Sequence, residues 1–354
     1  MLNWGLGHAS RMLPVLRMLE EQEVVPVVAS DGRALMLLQK EMPHLQFVDL
    51  KSTEILYPDS GSMAWAMIRQ TPTILKNIWA EHRETERIVK KYEIDGVISD
   101  NRFGMWSNVV PSVFVTHQLF IQVPPQHQWL SPIIFRINHY FIHQYKECWI
   151  PDFPNEPNLS GKLAHSRSLD ANRFKFIGSL SRLKKERVAP EYDLLILLSG
   201  PEPQRSIFET KLRKQLIHYQ GKIVLVRGIT ESNHIETQEN MLIYDHLTTE
   251  KINYLMNRSK LIVCRSGYSS LMDLVTLEKN AILIPTSGQT EQEYLADHFK
   301  KRKIFNSYPQ NQFEVVTALN DNQKYAGWTN AETAPNLLVN NILKFLQFIV
   351  TNRI

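Results

Sequence analysis

Short runs of apolar, mostly β-branched residues alternate along the chain with longer segments whose apolar residues recur at helical spacing. In the first half the short runs lie at residues 23–29, 45–50, 96–99 and 112–116. Runs of this length are typical of buried strands, and the segments between them predict amphipathic helices and one largely buried helix at 132–145. The alternation favours a parallel sheet with helices on both faces.

A second alternation of the same kind begins near Tyr192 and ends in an apolar segment at 335–349. Its candidate strands are residues 194–198, 222–226, 241–244, 261–264 and 281–284. Between the two alternations, residues 151–159 contain three prolines and predict a loop at a domain junction. We therefore predict an α/β protein with two doubly wound parallel-sheet domains. Residues 1–160 form the first, residues 161–334 the second, and residues 335–354 a helix that could cross back onto the first.

Two parallel sheets of this kind bind ligands at the carboxyl ends of their strands, so we expect a ligand cleft between the domains. The chain reaches a glycine turn directly after Trp4, whereas a buried strand needs about five residues. We expect that the first strand is truncated and that residues are missing before Met1.

Composition narrows the class of protein. A length of 354 residues with 43% hydrophobic residues suits two globular domains, and no apolar run approaches the ~20 residues of a membrane span. Cys148 and Cys264 form no metal or disulfide pattern, so we expect two buried thiols in a reducing compartment. With no secretory signal at Met1, the prediction is a cytoplasmic protein. Its formal charge of +4 suits an anionic substrate or an anionic membrane face.

A turn with the sequence RSGYSS, at residues 265–270, follows a β-branched strand and opens a helix. Gly267 permits a tight turn, and Ser269 or Ser270 can cap a helix whose N-terminus then favours a phosphate. Asp273 lies about one turn into this helix, where a carboxylate can accept hydrogen bonds from ribose hydroxyls. An ordinary capped helix with Asp273 as dipole partner explains the same residues equally well.

A second polar helix start, GQTEQE at residues 288–293, follows the next strand. The carboxamides of Gln289 and Gln292 and the carboxylate of Glu293 suit the many hydroxyls of a sugar. A solvated, acid-rich first turn that complements the helix dipole is the alternative.

The runs VCRSGYSSLMDL and AILIPTSGQTEQEYLADH together resemble the C-terminal domain of family 28 glycosyltransferases over residues 194–298. The resemblance implies the GT-B fold, with a nucleotide-sugar donor domain at 161–334 and an acceptor domain at 1–160. The family's best-known member adds N-acetylglucosamine to a lipid-linked muramyl peptide. Enzymes of this fold usually work without a bound divalent ion, so we predict neither metal nor cofactor.

The resemblance also implies roles for single residues. The family's phosphate turn matches Gly267, Ser269 and Ser270, its ribose-reading acid matches Asp273, and its donor-sugar pair matches Gln292 and Glu293. Two positions depart from the family pattern: Asp273 replaces a glutamate and has a shorter reach, and Glu293 replaces a glutamine, so the donor sugar can differ from N-acetylglucosamine.

The start of the chain, GLGHASR, resembles the family's glycine-rich first loop in a shortened form. It is also similar to the GxGHxxR loop of the nucleotide-sugar hydrolase of the pseudaminic acid pathway. A glycine loop between a strand and a helix brings the backbone of Gly5 and Gly7, and the side chain of Arg11, close to a ligand. His8 could act as general base on an acceptor hydroxyl, or it could merely bond the backbone.

Further candidates follow the ends of other strands. Asp100 could orient His8 or an acceptor, or form an Asx turn. Arg205 could neutralise the departing diphosphate, or lie on the surface. We expect four more residues to contact substrate: Arg102, His117, Gly200 and Tyr244, the last where the donor's base is read.

Residues 63–78 are amphipathic and basic enough for contact with a membrane surface, although packing in a core is the favoured explanation of the same residues. Residues 118–134 add aromatic residues and prolines. A lipid-linked acceptor would dock here, which would make the protein peripheral at the inner face of the membrane.

The function predicted from these residues is hexosyl transfer from a nucleotide diphosphate sugar, chiefly a UDP-sugar, to a glycan or lipid-linked acceptor. Two alternatives stay open: a nucleotide-sugar hydrolase, and a non-catalytic protein that binds nucleotide sugars. No feature indicates nucleic acid as a partner.

Overall fold

The computed structural model describes residues 6–50, 63–123, 125–167, 169–217, 219–229, 232–329 and 336–352. The chain divides into two compact units. Unit 1 comprises Met1–Gly178 and Ala334–Ile354, and unit 2 comprises Ser179–Thr333. The expected first strand before Gly5, and Gly5 itself, lie outside the described residues.

Helices and strands alternate in both units. The helices are α1 (Leu6–Glu21), α2 (Gly32–Glu41), α3 (Met63–Lys91), α4 (Ser131–Ile142), α5 (Lys162–His165), α6 (Gln204–Leu216), α7 (Thr249–Asn257), α8 (Tyr268–Thr276), α9 (Thr290–Lys301), α10 (Val315–Asn322) and α11 (Leu337–Thr351), with 3₁₀ helices at Pro125–Leu130 and Gln310–Gln312. The strands are β1 (Val27–Ser30), β2 (Gln46–Asp49), β3 (Val97–Asp100), β4 (Ser112–Val115), β5 (Glu147–Ile150), β6 (Phe174–Phe176), β7 (Tyr192–Leu197), β8 (Ile223–Val226), β9 (Ile235–Gln238), β10 (Met241–Tyr244), β11 (Ser259–Cys264), β12 (Ala281–Leu283) and β13 (Asn306–Ser307).

The described strands of unit 1 form two parallel groups. β1 pairs with β2, and the other four strands lie in the order β3-β4-β5-β6. Every residue of β4 is buried, as expected for a strand covered on both faces. Asp100 ends β3 and is followed by Asn101 with a positive φ of 54°.

Helix α11 belongs to unit 1, although it follows unit 2 in the sequence. Phe345 packs edge-on against Trp149 of β5, with ring centroids 5.9 Å apart. Gly96, directly before β3, packs close to α11, since a Cβ at this position would lie only 2.7 Å from Cδ1 of Ile349. The helix is therefore held by packing of its apolar face onto the sheet.

Unit 2 is built on one seven-stranded sheet in the order β13-β12-β11-β7-β8-β10-β9. All neighbouring strands are parallel except β9, which runs antiparallel to β10 at the edge. The chain fills one side of β7 with β8 to β10 and then crosses to the other side with β11. The carboxyl ends of β7 and β11 therefore flank a topological switch point, where ligands bind in sheets of this class.

The doubly wound α/β prediction is confirmed, with corrections at the domain borders. Residues 161–178 lie in unit 1, because β6 adds a fourth strand beside β5. Besides β6, three strands were not predicted: β5, which is mostly buried, β9, which alternates exposed and half-buried residues, and β13, which has only two residues. Cys148 and Cys264 are buried free thiols, as predicted.

No helix among the described ranges is long and apolar enough to cross a bilayer.

Candidate functional site

In unit 1, the first turn of α1 meets the carboxyl end of β3. Nδ1 of His8 lies 2.8 Å from Oδ2 of Asp100, and Nε of Arg11 donates to Oδ1 of the same carboxylate over 2.9 Å. A second Arg11 nitrogen also donates to Oδ1. His8 and Arg11 are three residues apart and so project from one face of the helix. One buried carboxylate thus binds two side chains of a single helical turn.

The protonation of this group follows from its charges. Burial alone would raise the pKa of Asp100, but the adjacent Arg11 and His8 hold that pKa well below its usual range. Burial lowers the pKa of His8, and Arg11 lowers it further, while Asp100 opposes both effects. At neutral pH the group therefore contains an aspartate anion, an arginine cation and a neutral histidine.

His117 and Arg102 occupy different surroundings from each other. His117 follows β4, and its Nδ1 lies 3.4 Å from the Arg11 guanidinium, so it lies beside the His8 group. Arg102 was expected to face a ligand cleft, but only 2% of it is exposed. Its guanidinium donates to Glu81 of α3 over 2.5 Å and to the Leu50 carbonyl over 3.0 Å. Arg102 is thus a buried structural cation, held by a carboxylate far away in the sequence.

In unit 2, three turns leave the carboxyl ends of the adjacent strands β7, β11 and β12. We call residues 199–201, 265–267 and 286–288 the turn cluster. The side chain of Arg265 joins these turns through carbonyl oxygens: Nε donates to Ser199 over 3.2 Å and one terminal nitrogen donates to Ile284 over 3.2 Å. Ser266 ties the cluster to α9 by donating to the Gln292 carbonyl over 2.7 Å.

Arg265 is a buried cation whose hydrogen bonds among the described residues all go to carbonyl oxygens. Burial lowers its pKa to about 10, which still leaves it charged at neutral pH. A buried guanidinium held by neutral groups keeps its electrostatic attraction for an anion.

The turn cluster also contains open space and an unpaired hydroxyl. A Cβ added to Gly267 would meet no atom within 4 Å. Oγ1 of Thr286, a residue that is 2% exposed, has no hydrogen-bond partner among the described atoms. A Cβ on Gly200, whose φ is +102°, would lie 3.4 Å from this hydroxyl. Buried hydroxyls are normally satisfied, so the unpaired Thr286 hydroxyl suggests a ligand oxygen.

Helix α8 begins differently from the prediction. Its N-cap is Gly267, with φ −69° and ψ 142°, and neither Ser269 nor Ser270 caps the helix. Both serines lie inside the first turn and are half-buried. The serine cap is therefore a wrong prediction. The reason is that the chain turns into the helix two residues before Ser269, at a glycine that has no side chain.

Asp273 lies in the second turn of α8 and is half-buried. Its Oδ1 accepts a hydrogen bond of 2.5 Å from the Ser181 hydroxyl. Burial raises the pKa of this carboxyl to about 6, against the opposing effects of Ser181 and Arg182. Asp273, the predicted ribose acid, thus lies on the helix that begins at the turn cluster, and its Oδ1 already has a hydrogen-bond partner.

The first turn of α9 is bonded to the loop that precedes it. Gln292 accepts from the Thr286 amide over 2.9 Å through its side-chain oxygen, and its side-chain nitrogen donates to Gln289. Glu293 is exposed and accepts from the Gly288 amide over 2.9 Å. These side chains therefore fix the shape of the 286–288 turn.

Arg205 was expected at the donor diphosphate, but its guanidinium is bonded to Glu202 and lies 3.4 Å from Glu209. Because two carboxylates compensate its charge, Arg205 would attract an anionic ligand only weakly. Tyr244 ends β10 and is half-buried, two strands away from β7.

Comparison with known protein families identifies the second half of the chain. Residues 202–341 match the model of the glycosyltransferase family 28 C-terminal domain. Residues 265–267 and 286–288 of the turn cluster fall inside this match, as does α8, whereas residues 199–201 lie just before it.

Solved structures agree with the fold of the family 28 domain and of the whole chain. MurG of Acinetobacter baumannii is 15% identical, with a TM-score of 0.53 over 98% of this chain and 93% of that one. The calicheamicin glycosyltransferase CalG4 is 13% identical, with a TM-score of 0.60 over 98% and 90%. VinC in complex with dTDP is 10% identical, with a TM-score of 0.55 over 99% and 98%.

At these identities the solved structures show the GT-B fold alone. No curated protein matches the chain. The predicted recognition of a GT-B glycosyltransferase with a family 28 C-terminal domain is confirmed, and the enzyme is a glycosyltransferase.

Two residues inside the matched range, Arg265 and Thr286, were not predicted to be site residues. Arg265 stood in the motif, but an arginine next to a turn usually lies on the surface. Thr286 follows a strand without any distinctive spacing. A polar residue within three positions of the end of a buried strand is the signal that could have identified both.

Proposed function

We propose that this glycosyltransferase moves a hexosyl group from a nucleoside diphosphate sugar, chiefly a UDP-sugar, to a hydroxyl of a glycan or lipid-linked acceptor, without a metal ion. The observation that carries the proposal is the turn cluster at the switch point of unit 2. It combines a glycine N-cap beneath open space, a buried arginine held by carbonyl oxygens and an unpaired buried hydroxyl.

Each of these features suits a diphosphate. The N-terminus of α8 has a partial positive charge and backbone N–H groups, and the missing side chain at Gly267 lets a phosphate approach them. Arg265 adds a full positive charge, and the Thr286 hydroxyl can donate to a phosphate oxygen. Together they would stabilise the negative charge that develops as the nucleoside diphosphate departs. The dTDP bound to VinC supports a nucleoside diphosphate as the ligand of this fold.

His8 is the proposed general base in unit 1. Two groups approach its Nδ1, Asp100 at 2.8 Å and Arg11 at 2.9 Å, and only one can form a hydrogen bond with it at a time. We assign the proton to Nδ1, because a carboxylate is the stronger partner. The Nε2 lone pair then remains to take a proton from the acceptor hydroxyl as the sugar is transferred.

A test of this function follows His8 through binding and turnover separately. His8→Ala should lower kcat by about 10² to 10⁴-fold and leave the Kd for UDP unchanged, because the histidine acts on the acceptor. The matched control is His44→Ala, an exposed histidine paired with Glu20. Turnover should also persist in EDTA.

The donor screen should contain UDP-, GDP- and dTDP-sugars, each with and without acceptor. Loss of UDP affinity with unchanged turnover in His8→Ala would contradict the assigned role. Rapid release of free sugar in the absence of acceptor would favour the hydrolase, and tight binding without any turnover would favour a non-catalytic protein.

We also propose that unit 1 rests on an anionic membrane surface through α4. Ile133 at 52%, Ile137 at 43% and Tyr140 at 55% are exposed on one face of α4, and Trp129, exposed at 66%, lies in the last turn of the 3₁₀ helix directly before it. We call these four residues the α4 stripe. An apolar stripe of this kind on a helix surface is typical of interfacial contact.

Charge around the α4 stripe favours an anionic bilayer as its partner. Residues 101–146 contain neither Asp nor Glu, whereas Arg136, Lys146 and Arg167 are exposed cations. Each basic residue near an anionic bilayer contributes roughly 1 kcal/mol of attraction.

The other segment expected at the membrane, residues 63–78, is accounted for in part by core packing. Ile74 and Ile78 pack in the apolar core of unit 1. The side chains of residues 63–72 lie outside the described residues.

A further inference from the structure

Ser181 lies in the segment that begins unit 2, and its hydroxyl has two partners with opposite roles. Oγ accepts a hydrogen bond of 3.1 Å from the Leu183 amide and donates to Oδ1 of Asp273 over 2.5 Å. A serine hydroxyl has a single proton. Because an amide fills one of its lone pairs, that proton is directed at the carboxylate.

The position of Ser181 is fixed by its neighbours and not by Asp273 alone. Oγ of Ser179 lies 3.0 Å from Oγ1 of Thr276, and the Leu180 amide donates to Sδ of Met272 over 3.3 Å. Residues 179–181 therefore lie along the side of α8, one contact after another. The hydroxyl of Ser181 is placed in advance for the carboxylate.

The carboxylate of Asp273 lies in surroundings that oppose its ionisation. Its neighbours with charge or a titratable proton are Arg182, on the same segment as Ser181, and Cys264, at the end of β11. Burial raises the pKa of the Cys264 thiol to about 12, so it stays neutral. The hydrogen bond from Ser181 and the charge of Arg182 are thus the two effects that keep Asp273 ionised at neutral pH.

We propose that Ser181 is a positioning residue for donor binding: it occupies Oδ1 of Asp273, keeps the carboxylate ionised, and leaves Oδ2 to accept from a hydroxyl of the donor's ribose. This rests on the proposed function, because it assigns the ribose to Asp273. Asp273 is one carbon shorter than the glutamate of the family pattern, and the serine hydroxyl fixes which of its two oxygens is free for the ligand.

Two measurements test this proposal on the full chain. The first follows the Asp273 carboxyl carbon by NMR in the unliganded protein between pH 4 and 8. The second measures the Kd for UDP over the same range. Removing one hydrogen bond to the ionised form should raise the midpoint for Asp273 by about one pH unit in Ser181→Ala. The affinity for UDP should then fall about fivefold at pH 6 and about twofold at pH 7.

Matched variants separate this role from a general loss of structure. Ser179→Ala removes a hydroxyl from the same segment, but one that contacts Thr276 and not Asp273. The Asp273 titration and the pH dependence of the Kd for UDP should therefore stay as in wild type. Ser181→Thr retains a hydroxyl and should restore the wild-type midpoint. Asp273→Asn cannot ionise and should bind UDP weakly, and its pH dependence should contain only the titration of the UDP terminal phosphate.

The proposal is overturned if the Asp273 carboxyl titrates at the same pH in wild type and Ser181→Ala, or if Ser179→Ala shifts it equally. Absence of UDP, GDP or dTDP binding in every variant would instead contradict the proposed function. The carboxyl titration would still decide what Ser181 does, so the two failures are distinguishable.

Discussion

At the scale of residues, the hydrogen-bond partners of three arginines distinguish a structural cation from one that can attract a ligand. Arg102 and Arg205 are each neutralised by carboxylates, at Glu81 and at Glu202. Arg265 is bonded to carbonyl oxygens instead. Arg102 and Arg265 follow strand ends and Arg205 lies in the first turn of α6, but only Arg265 has no carboxylate partner among the described residues.

The sequence could place His8 and Asp100 at a strand end and a helix start, because a glycine turn and a β-branched run mark those positions. It could not tell which arginines are already paired. Glu81 lies 21 residues from Arg102, and nothing local indicates that α3 brings the two together. The Ser181–Asp273 contact spans 92 residues and was not predictable for the same reason.

Asp100→Asn should change both the rate and the pH profile. Asn keeps a carbonyl oxygen for Nδ1 of His8 but loses the negative charge, so we expect kcat to fall by about 10²-fold. Asp100 raises the pKa of His8, and its loss should lower that pKa further. Histidine then stays neutral to lower pH, and the acid limb of kcat should move to lower pH.

The measurement for Asp100→Asn is kcat between pH 4.5 and 8, with thermal unfolding to check the fold. An acid limb at the wild-type pH, or one displaced to higher pH, would contradict the coupling between Asp100 and His8.

At the scale of elements, prediction succeeded for several strands that are buried on both faces. β8 and β12 appear within one residue of the predicted runs, because continuous β-branched and aliphatic residues mark strands covered by helices. The buried strand β5 was missed, and so were the edge strands β6, β9 and β13. β9 has the sequence IETQ, and β13 has only two residues, so pairing with a neighbour and not their own pattern makes them strands.

The α4 stripe makes a prediction that belongs to this scale. Ile133→Ser with Ile137→Ser should weaken sedimentation with phosphatidylglycerol vesicles by about tenfold or more, since both side chains would bury apolar surface in the interface. The matched control is Ile207→Ser, which changes an isoleucine that is 53% exposed on α6 in unit 2.

Charge supplies the second arm of the vesicle experiment. Wild type should sediment poorly with purely zwitterionic phosphatidylcholine vesicles, and its binding to the anionic vesicles should weaken as salt rises. Equal sedimentation of wild type and the double variant would contradict the proposed contact between α4 and the membrane.

At the scale of the whole molecule, the two α/β units follow from the repeated alternation of strands and helices. The order of strands about β7 places the switch point beside the turn cluster. The border between units was set too early, at residue 160, because the prolines at 151–159 resemble a linker. In the structure the carboxylate of Asp152 binds that segment tightly, accepting from the amides of Leu159 and Ser160.

The proposed glycosyl transfer requires that a nucleoside diphosphate binds at the N-terminus of α8. Titration calorimetry of UDP with wild type, Gly267→Ala and Gly267→Val tests this claim most directly. The backbone of Gly267 has φ −69°, which any residue adopts, and a Cβ there meets no atom. Both variants should therefore fold with an unchanged melting temperature.

Glu314→Val, at the N-cap of α10, is the control for a new side chain at a helix start in the same unit. We predict that UDP binds to wild type and to the control alike, and that Gly267→Val weakens binding by at least about tenfold, or ~1.4 kcal/mol, with Gly267→Ala in between. Equal affinity of wild type and Gly267→Val for UDP would contradict the central claim.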